Sequence, residues 1–279
     1  MSTSPVNQNE QDNHSMIRFR VEPRPLPAVK DLHLDGVFGN FDDIVDREIA
    51  ACEKSEDKFD QEKARFFRYL KSHVDSQKFG EMQEFQLSGQ GKLRLESDMV
   101  KYIDPAIWFD SKLRMALRVG LNRRDPIDIL DIGTGPAHFP VVAEFYGHRV
   151  IGTDVPYKRT GELEPGNLYE ALGQLYKVSR IPLRIEQYVP LPDFGRRFGM
   201  VTAFLAAFNV DSEGKPWTID AWKFFLKDLH DNVLAEGGEL FMSLANGKLT
   251  DEVWDYLSER AVFTNKHRVI HFTDLAQFA

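Results

Sequence analysis

The chain has 279 residues of which 42% are apolar, enough for one large domain with a sizeable buried core or for two small ones. Its formal net charge of −8 argues against a general affinity for nucleic-acid backbones, which draws on clustered Lys and Arg. The single cysteine, Cys52, can form no internal disulfide and supplies no structural zinc cluster, so a reducing compartment and a cytoplasmic location are expected.

No run approaches the roughly 20 consecutive apolar residues of a membrane span, and no basic segment leads into an apolar one near the start, so no membrane partner is expected. Residues 1–15 are polar, rich in Ser, Asn, Gln and Asp, and read as a disordered tail. From Met16 to about Leu34, Pro23, Pro25 and Pro27 fix φ and remove backbone donors, which gives an extended arm. Between Asp43 and Val74 the residues Phe59, Phe66, Phe67, Leu70 and Val74 recur at helical spacings, predicting an amphipathic helix that Gly80 to Gly91 then interrupts. A further helix follows Pro105, turns Leu113, Ala116 and Leu117 inward and stops near Gly120. Residues 16–125 therefore read as a mainly helical cap or lid.

Beyond residue 126 the pattern changes to short apolar runs alternating with helices, the mark of a parallel sheet. Strands are predicted at Ile127–Ile132, Arg149–Thr153, Leu183–Tyr188, Met200–Leu205 and Glu239–Leu244, with short β pieces near Val262 and at Val269–Phe272. Leu168, Leu172, Leu175 and Tyr176 mark one helix. Thr218 caps another, whose stripe of Ile219, Trp222, Leu226, Leu229 and Val233 is closed by Gly237 and Gly238, and Thr250 caps a third holding Val253, Trp254, Leu257 and Ala261. The expected architecture is a doubly wound α/β domain over 126–279 with a mostly parallel, seven-stranded sheet.

The most informative string is IDILDIGTGPAHFPVVAEFYGHRVIGTDVP, Ile127 to Pro156. It joins a buried strand to a glycine turn and then to a helix, and ends in an acid at the tip of the second strand. Gly133 and Gly135 allow backbone torsions and a close ligand approach at the carboxyl end of the first strand, where doubly wound sheets bind ligands. A carboxylate at Asp154 suits both hydroxyls of an adenosine ribose.

On these residues the sequence resembles the class I, Rossmann-like S-adenosylmethionine-dependent methyltransferases: DIGTG is similar to their first motif and GTDVP to their acidic second motif, and the likeness runs from about Ile127 to Leu244. The resemblance implies S-adenosylmethionine as cofactor, with Asp131 orienting its methionine end and Gly133, Thr134, Gly135, Asp154 and Val155 around the turn and ribose. It further implies Gln187 and Tyr188 at the adenine side, and Ala203 and Phe204 in the loop beneath the methionine. The chain departs from the pattern at three places, with Ala137 at the frequent third glycine, Gly199 at the acid of the fourth-strand motif and Gln187 at an adenine-binding aspartate. A dinucleotide enzyme is the main competitor, but its fingerprint wants glycine where this chain has His138, and Asp131 would set a charge beside pyrophosphate.

The text after the fourth strand, FLAAFNVD, lacks the Asn/Asp-Pro-Pro-aromatic string of amide and base-nitrogen methyltransferases, so a hydroxyl of a small molecule or saccharide is the expected acceptor. Candidate bases are His138, which opens the helix beside the turn, and Asn209 and Asp211 just past the fourth strand. Their ordinary readings are a histidine facing solvent or donating to a carbonyl, and two loop residues. His148, His230 and His271 read as structural, the pairs Asp42/Asp43 and Asp228/Asp231 as solvated charge, and no metal site is expected. Trp217, Trp222, Phe224 and Phe225 read as core, the aromatic cover of Trp108 and Phe109 points to a closed cleft, and the family likeness alone suggests that Lys101 and Tyr102 cover the cofactor. An inactive cofactor-binding regulator and a protein methyltransferase are the alternatives, and the sequence sets no oligomeric state.

Overall fold

The computed structural model describes residues 35–88, 100–155, 168–211, 213–244, 249–265 and 268–278. The polar tail over 1–15 and the proline-rich arm lie outside these residues. Side-chain caps set most helix starts. Asn40, Asp57, Asp75, Asp104, Thr218 and Thr250 each precede a helix and accept one or two of its first free amides. These caps open α2 (Phe41–Glu53), α3 (Lys58–His73), α4 (Ser76–Leu87), α5 (Pro105–Arg118), α8 (Ile219–Asp228) and α9 (Asp251–Ser258); α1 (Asp35–Phe38), α6 (His138–Phe145) and α7 (Leu168–Leu175) complete the set among the described residues.

Strands β1 (Asp128–Ile132), β2 (Arg149–Asp154), β3 (Arg180–Pro182), β4 (Phe198–Phe204), β5 (Leu234–Ser243), β6 (Phe263–Thr264) and β7 (Val269–Phe272) form one sheet in the order β3-β2-β1-β4-β5-β7-β6. All pairings are parallel except those of β7 with β5 and β6. Helices lie on both faces. On one, Phe66, Phe67, Leu70, Phe109 and Leu113 from the N-terminal helices merge with Ile129, Phe139 and Met200 into a continuous core. On the other, Trp222, Leu226, Val253 and Leu257 cover Leu130, Val201, Leu240 and Ile270. The strand order reverses between β1 and β4, so the carboxyl ends of these two strands flank the crevice in which sheets of this type bind ligands.

Four expectations change. The helix expected across Asp43–Val74 is two helices, because Asp57 takes the amides of Phe59 and Asp60 at 2.7 and 3.3 Å and starts α3 afresh. Gly80 does not interrupt a helix but lies inside α4, where burial of Phe79 outweighs the weak propensity of glycine; Gly91 is outside the described residues. The third strand is only Arg180–Pro182 and precedes the predicted Leu183–Tyr188 segment, where the backbone instead reaches a turn with Tyr188 at φ 58°. Gly237 and Gly238 do not end a helix, because α8 gives way to a wide π turn at Leu229–Val233 and β5 is already under way; the glycines sit where the register of β5 on β4 shifts. Among the described residues no helix is long and apolar enough to cross a membrane.

Candidate functional site

The turn after β1 carries three successive left-handed backbone positions, Gly133, Gly135 and Ala137 at φ 66°, 55° and 65°. At Gly133 the missing side chain makes room for the protein itself: a Cβ there would lie 2.5 Å from the Cβ of Ala206, in the loop after β4. Gly135 is the more open of the two, its nearest neighbour being the Tyr169 ring at 3.8 Å. Thr134 locks the turn, its hydroxyl donating to the Asp131 carbonyl at 2.8 Å and its amide to the Thr153 carbonyl at 2.9 Å.

Asp154 reaches across to hold the same turn. The Gly135 N–H donates to its Oδ2 at 2.9 Å and the Val155 N–H to its Oδ1 at 2.8 Å. Arg180 of β3 adds a 3.0 Å ion pair to Oδ2 and a second bond to the Tyr169 carbonyl. Burial raises the Asp154 carboxyl, with Arg180 and the two amides opposing. Two donors occupy Oδ2, so the lone-pair capacity left for a ligand lies on Oδ1. Asp131, only 2% exposed, takes the Thr202 hydroxyl at 2.6 Å from the neighbouring β4. Burial pushes its carboxyl up to about 6, against the pull of Thr202 and of the Lys112 charge.

Helix α5 forms the wall over this turn. Tyr102, in the 3-10 turn before it, packs on Trp108 with ring centroids 4.6 Å apart and edge-on to Tyr169 at 5.4 Å, and Trp108 Nε1 donates to the Lys101 carbonyl at 2.7 Å. Lys112, one turn further, brings its ammonium to 4.6 Å from the Phe204 ring centroid at the end of β4. The residue as a whole is half-buried, but its charged end is enclosed, and burial lowers its pKa to about 8 while Asp131 opposes.

His138 is buried at 1% exposure among Trp108, Phe109 and Tyr176. It neither faces solvent nor donates to a carbonyl: among the described residues both ring nitrogens lack a hydrogen-bond partner, as does the Tyr176 hydroxyl beside it. Burial, with a smaller push from Lys112, drives its pKa down to about 3, so the imidazole is neutral.

Of the residues singled out in the sequence, Asp131, Thr134, Gly135, Asp154 and Val155 are brought together by direct hydrogen bonds, and Gly133 abuts the loop after β4. Ala203 and Phe204 are buried residues of β4 itself rather than of a loop, because their pairing with Met242 and Ser243 extends the strand to Phe204. Gln187 and Tyr188 stand on the loop beyond β3, where Tyr188 is half exposed and turned to Thr218, the cap of α8, and to Phe224 within that helix. Asp211 is absorbed by a turn, accepting the amides of Glu213 and Lys215 at 2.8 and 2.9 Å, and Asn209 is fully buried with its carbonyl on the Trp217 amide. His148 is structural as expected, bridging the Ile127 amide and the Leu121 carbonyl. Asp228 is not solvated charge but a buried acceptor for the Leu191 amide. Sequence reasoning missed Lys112, Arg180, Thr202 and Tyr176. Lys112 left one signal, a charged residue inside the apolar stripe Trp108, Phe109, Leu113, Ala116.

No family model and no curated protein matches the chain. Solved structures with which it aligns include a ribosomal protein L11 methylase from Lactobacillus delbrueckii subsp. bulgaricus, 19% identical at a TM-score of 0.37 over 58% of this chain and 77% of that one. A TehB-like SAM-dependent methyltransferase from Corynebacterium glutamicum is 14% identical at a TM-score of 0.37, over 70% of this chain and 98% of the other. A SAM-bound amino pentose methyltransferase from Micromonospora echinaspora is 18% identical at 0.33, over 57% of this chain. The chain spans 55% of the length of that last protein and about half of several others.

Proposed function

We propose that this chain is an S-adenosylmethionine-dependent methyltransferase acting on a hydroxyl of a small molecule or saccharide. One observation carries the reading: a left-handed glycine turn at the switch point of the sheet is clamped, through the Gly135 amide, to a carboxylate at the tip of the neighbouring strand. The residues present fit the cofactor. Asp154 Oδ1 keeps room for a ribose hydroxyl, the open side of Gly135 admits a close neighbour, and the buried Asp131 carboxylate suits a cationic amino group. When bound, S-adenosylmethionine supplies a methyl group on a sulfonium, which is electrophilic without further activation.

The work left to the chain is orientation and exclusion of water. Holding an acceptor lone pair in line supplies roughly 7–11 kcal/mol, whereas a placed base adds about 3–5.5 kcal/mol. With a pKa near 3, His138 is a poor proton acceptor; its free nitrogens fit it to orient a hydroxyl by hydrogen bonding. The N-terminal helices, with Tyr102 and Trp108 against the turn, act in this reading as the lid that sets the acceptor. A cytoplasmic location, with neither nucleic acid nor membrane as partner, goes with it.

The depressed pKa of His138 also favours a second reading, a regulator that binds the cofactor without turnover. Asp154→Ala should weaken S-adenosylmethionine binding by about 10- to 100-fold in isothermal titration, through loss of a charged hydrogen bond to the ribose. Unchanged affinity would overturn the cofactor assignment. Methyl label from the cofactor appearing on a small molecule of a cell extract, identified by mass spectrometry, separates the enzyme from the regulator, and label on protein would redirect the acceptor.

A further inference from the structure

Asp131 of β1 and Lys112 of α5 bring opposite charges to the carboxyl ends of β1 and β4, and among the described residues neither forms a direct ion pair. Asp131 Oδ1 is held by the Thr202 hydroxyl at 2.6 Å. Lys112 has no hydrogen-bond or ion-pair partner among the described residues; its ammonium rests over the Phe204 ring at 4.6 Å. Thr202 and Phe204 are alternate residues of β4 and share a face, so the ring under Lys112 and the hydroxyl on Asp131 stand on the same side of the sheet. Each charge accordingly opposes the burial shift of the other, Asp131 that of Lys112 and Lys112 that of Asp131. The groups facing Lys112 are Asp131 from β1, the neutral His138 from α6 and the uncharged Phe204 from β4.

A cation–π contact returns only part of the hydration an enclosed ammonium gives up. A lone buried carboxylate would select a simple cation and a lone buried ammonium a simple anion. The pair selects a molecule carrying both charges. We infer that Lys112 completes a seat for a zwitterionic α-amino-acid group by taking its carboxylate, opposite the Asp131 already read as suiting its ammonium. On the methyltransferase reading, on which this rests, that group is the methionine end of the donor, and Lys112 is a positioning residue lent by the helix that covers the sheet.

The seat has its own pH signature. It needs Asp131 ionised and Lys112 protonated, so affinity is greatest between about 6 and about 8, falling as Asp131 takes a proton below that window and as Lys112 loses one above it.

Isothermal titration with S-adenosylhomocysteine and with methylthioadenosine, which keeps the nucleoside and sulfur but lacks the amino acid, tests this without an acceptor. Lys112→Met preserves the apolar stem and removes the charge. It should weaken S-adenosylhomocysteine binding by about 10- to 100-fold while leaving methylthioadenosine within about twofold, and Lys112→Arg should restore most of the loss. In Lys112→Met the fall of affinity above pH 8 should vanish, and the acid-side fall should remain but move to higher pH, because Lys112 no longer opposes the burial that raises Asp131. Unchanged S-adenosylhomocysteine affinity in Lys112→Met, or an equal loss for both ligands, overturns the assignment. If the unaltered chain binds methylthioadenosine but shows no added affinity for S-adenosylhomocysteine, the amino-acid seat is wrong and the nucleoside site stands. If it binds neither, the cofactor reading falls and this inference with it.

Discussion

Burial of Asp131 costs more than the Thr202 hydroxyl and the Lys112 charge return. Its carboxyl titrates near 6 rather than at its ordinary 3.8, so the folded state keeps a proton that the unfolded chain has already released. Stability contributed by the protonated form is therefore complete below about 3.8 and lost as pH rises through about 6. Asp131→Asn, which keeps an oxygen for the Thr202 hydroxyl, should raise the stability of the free protein by about 1–2 kcal/mol at pH 7, with no gain at pH 3.5. Urea unfolding at the two pH values measures it, and a loss of stability at pH 7 would mean that the Lys112 charge depends on Asp131 more than burial opposes it. Asp131, Gly133, Gly135 and Asp154 were legible in the sequence because the turn and its acid are nearly contiguous and each residue type has one dominant reason to be there. Lys112 and Arg180 were not. Each reaches the site from an element distant along the chain, and a single Lys or Arg in a charged segment looks like surface.

Helix α4 shows why elements were read less well than residues. In the sequence Gly80 reads as a break, yet it is an interior helical residue whose added Cβ would meet nothing within 4 Å. The helix survives because Asp75 caps it and Phe79 is wholly buried. Gly80→Ala should stabilise the protein by about 0.5–1 kcal/mol, from helix propensity with no steric opposition, seen as a rise in urea midpoint at unchanged slope. The other misreadings have the same root. The two helices parted at Asp57, the third strand only three residues long and the register shift at Gly237–Gly238 all depend on local hydrogen bonding or on a partner strand that periodicity does not report. Apolar runs, caps and Pro105, by contrast, located β1, β2, β4, β7, α5 and α9, since burial on a sheet face, a Thr before a helix and a Pro at its start leave direct traces in the sequence.

At the scale of the molecule, the segment leading into the sheet is tied to the far strands by a small, partly buried network. Arg124, just past α5, meets Glu239 of β5 in a two-pronged pair at 2.8 and 2.9 Å, and His271 of β7 reaches the same carboxylate at 2.8 Å. Burial alone would raise Glu239, yet the hydrogen bonds from His271 and Arg124 and their charges hold it down at about 2. A depressed carboxyl pKa contributes stability that is present above the ordinary value near 4.5 and is lost as pH falls towards 2. Glu239→Gln keeps the shape but leaves Arg124 without its counter-charge, and should cost about 2 kcal/mol at pH 7, read by urea unfolding. The gap between variant and unaltered protein should narrow steadily as pH is lowered from 4.5. A gap that stayed constant through that range would mean that the network acts through packing alone, and that the strands beyond the switch point are joined to the leading helices by shape rather than by charge.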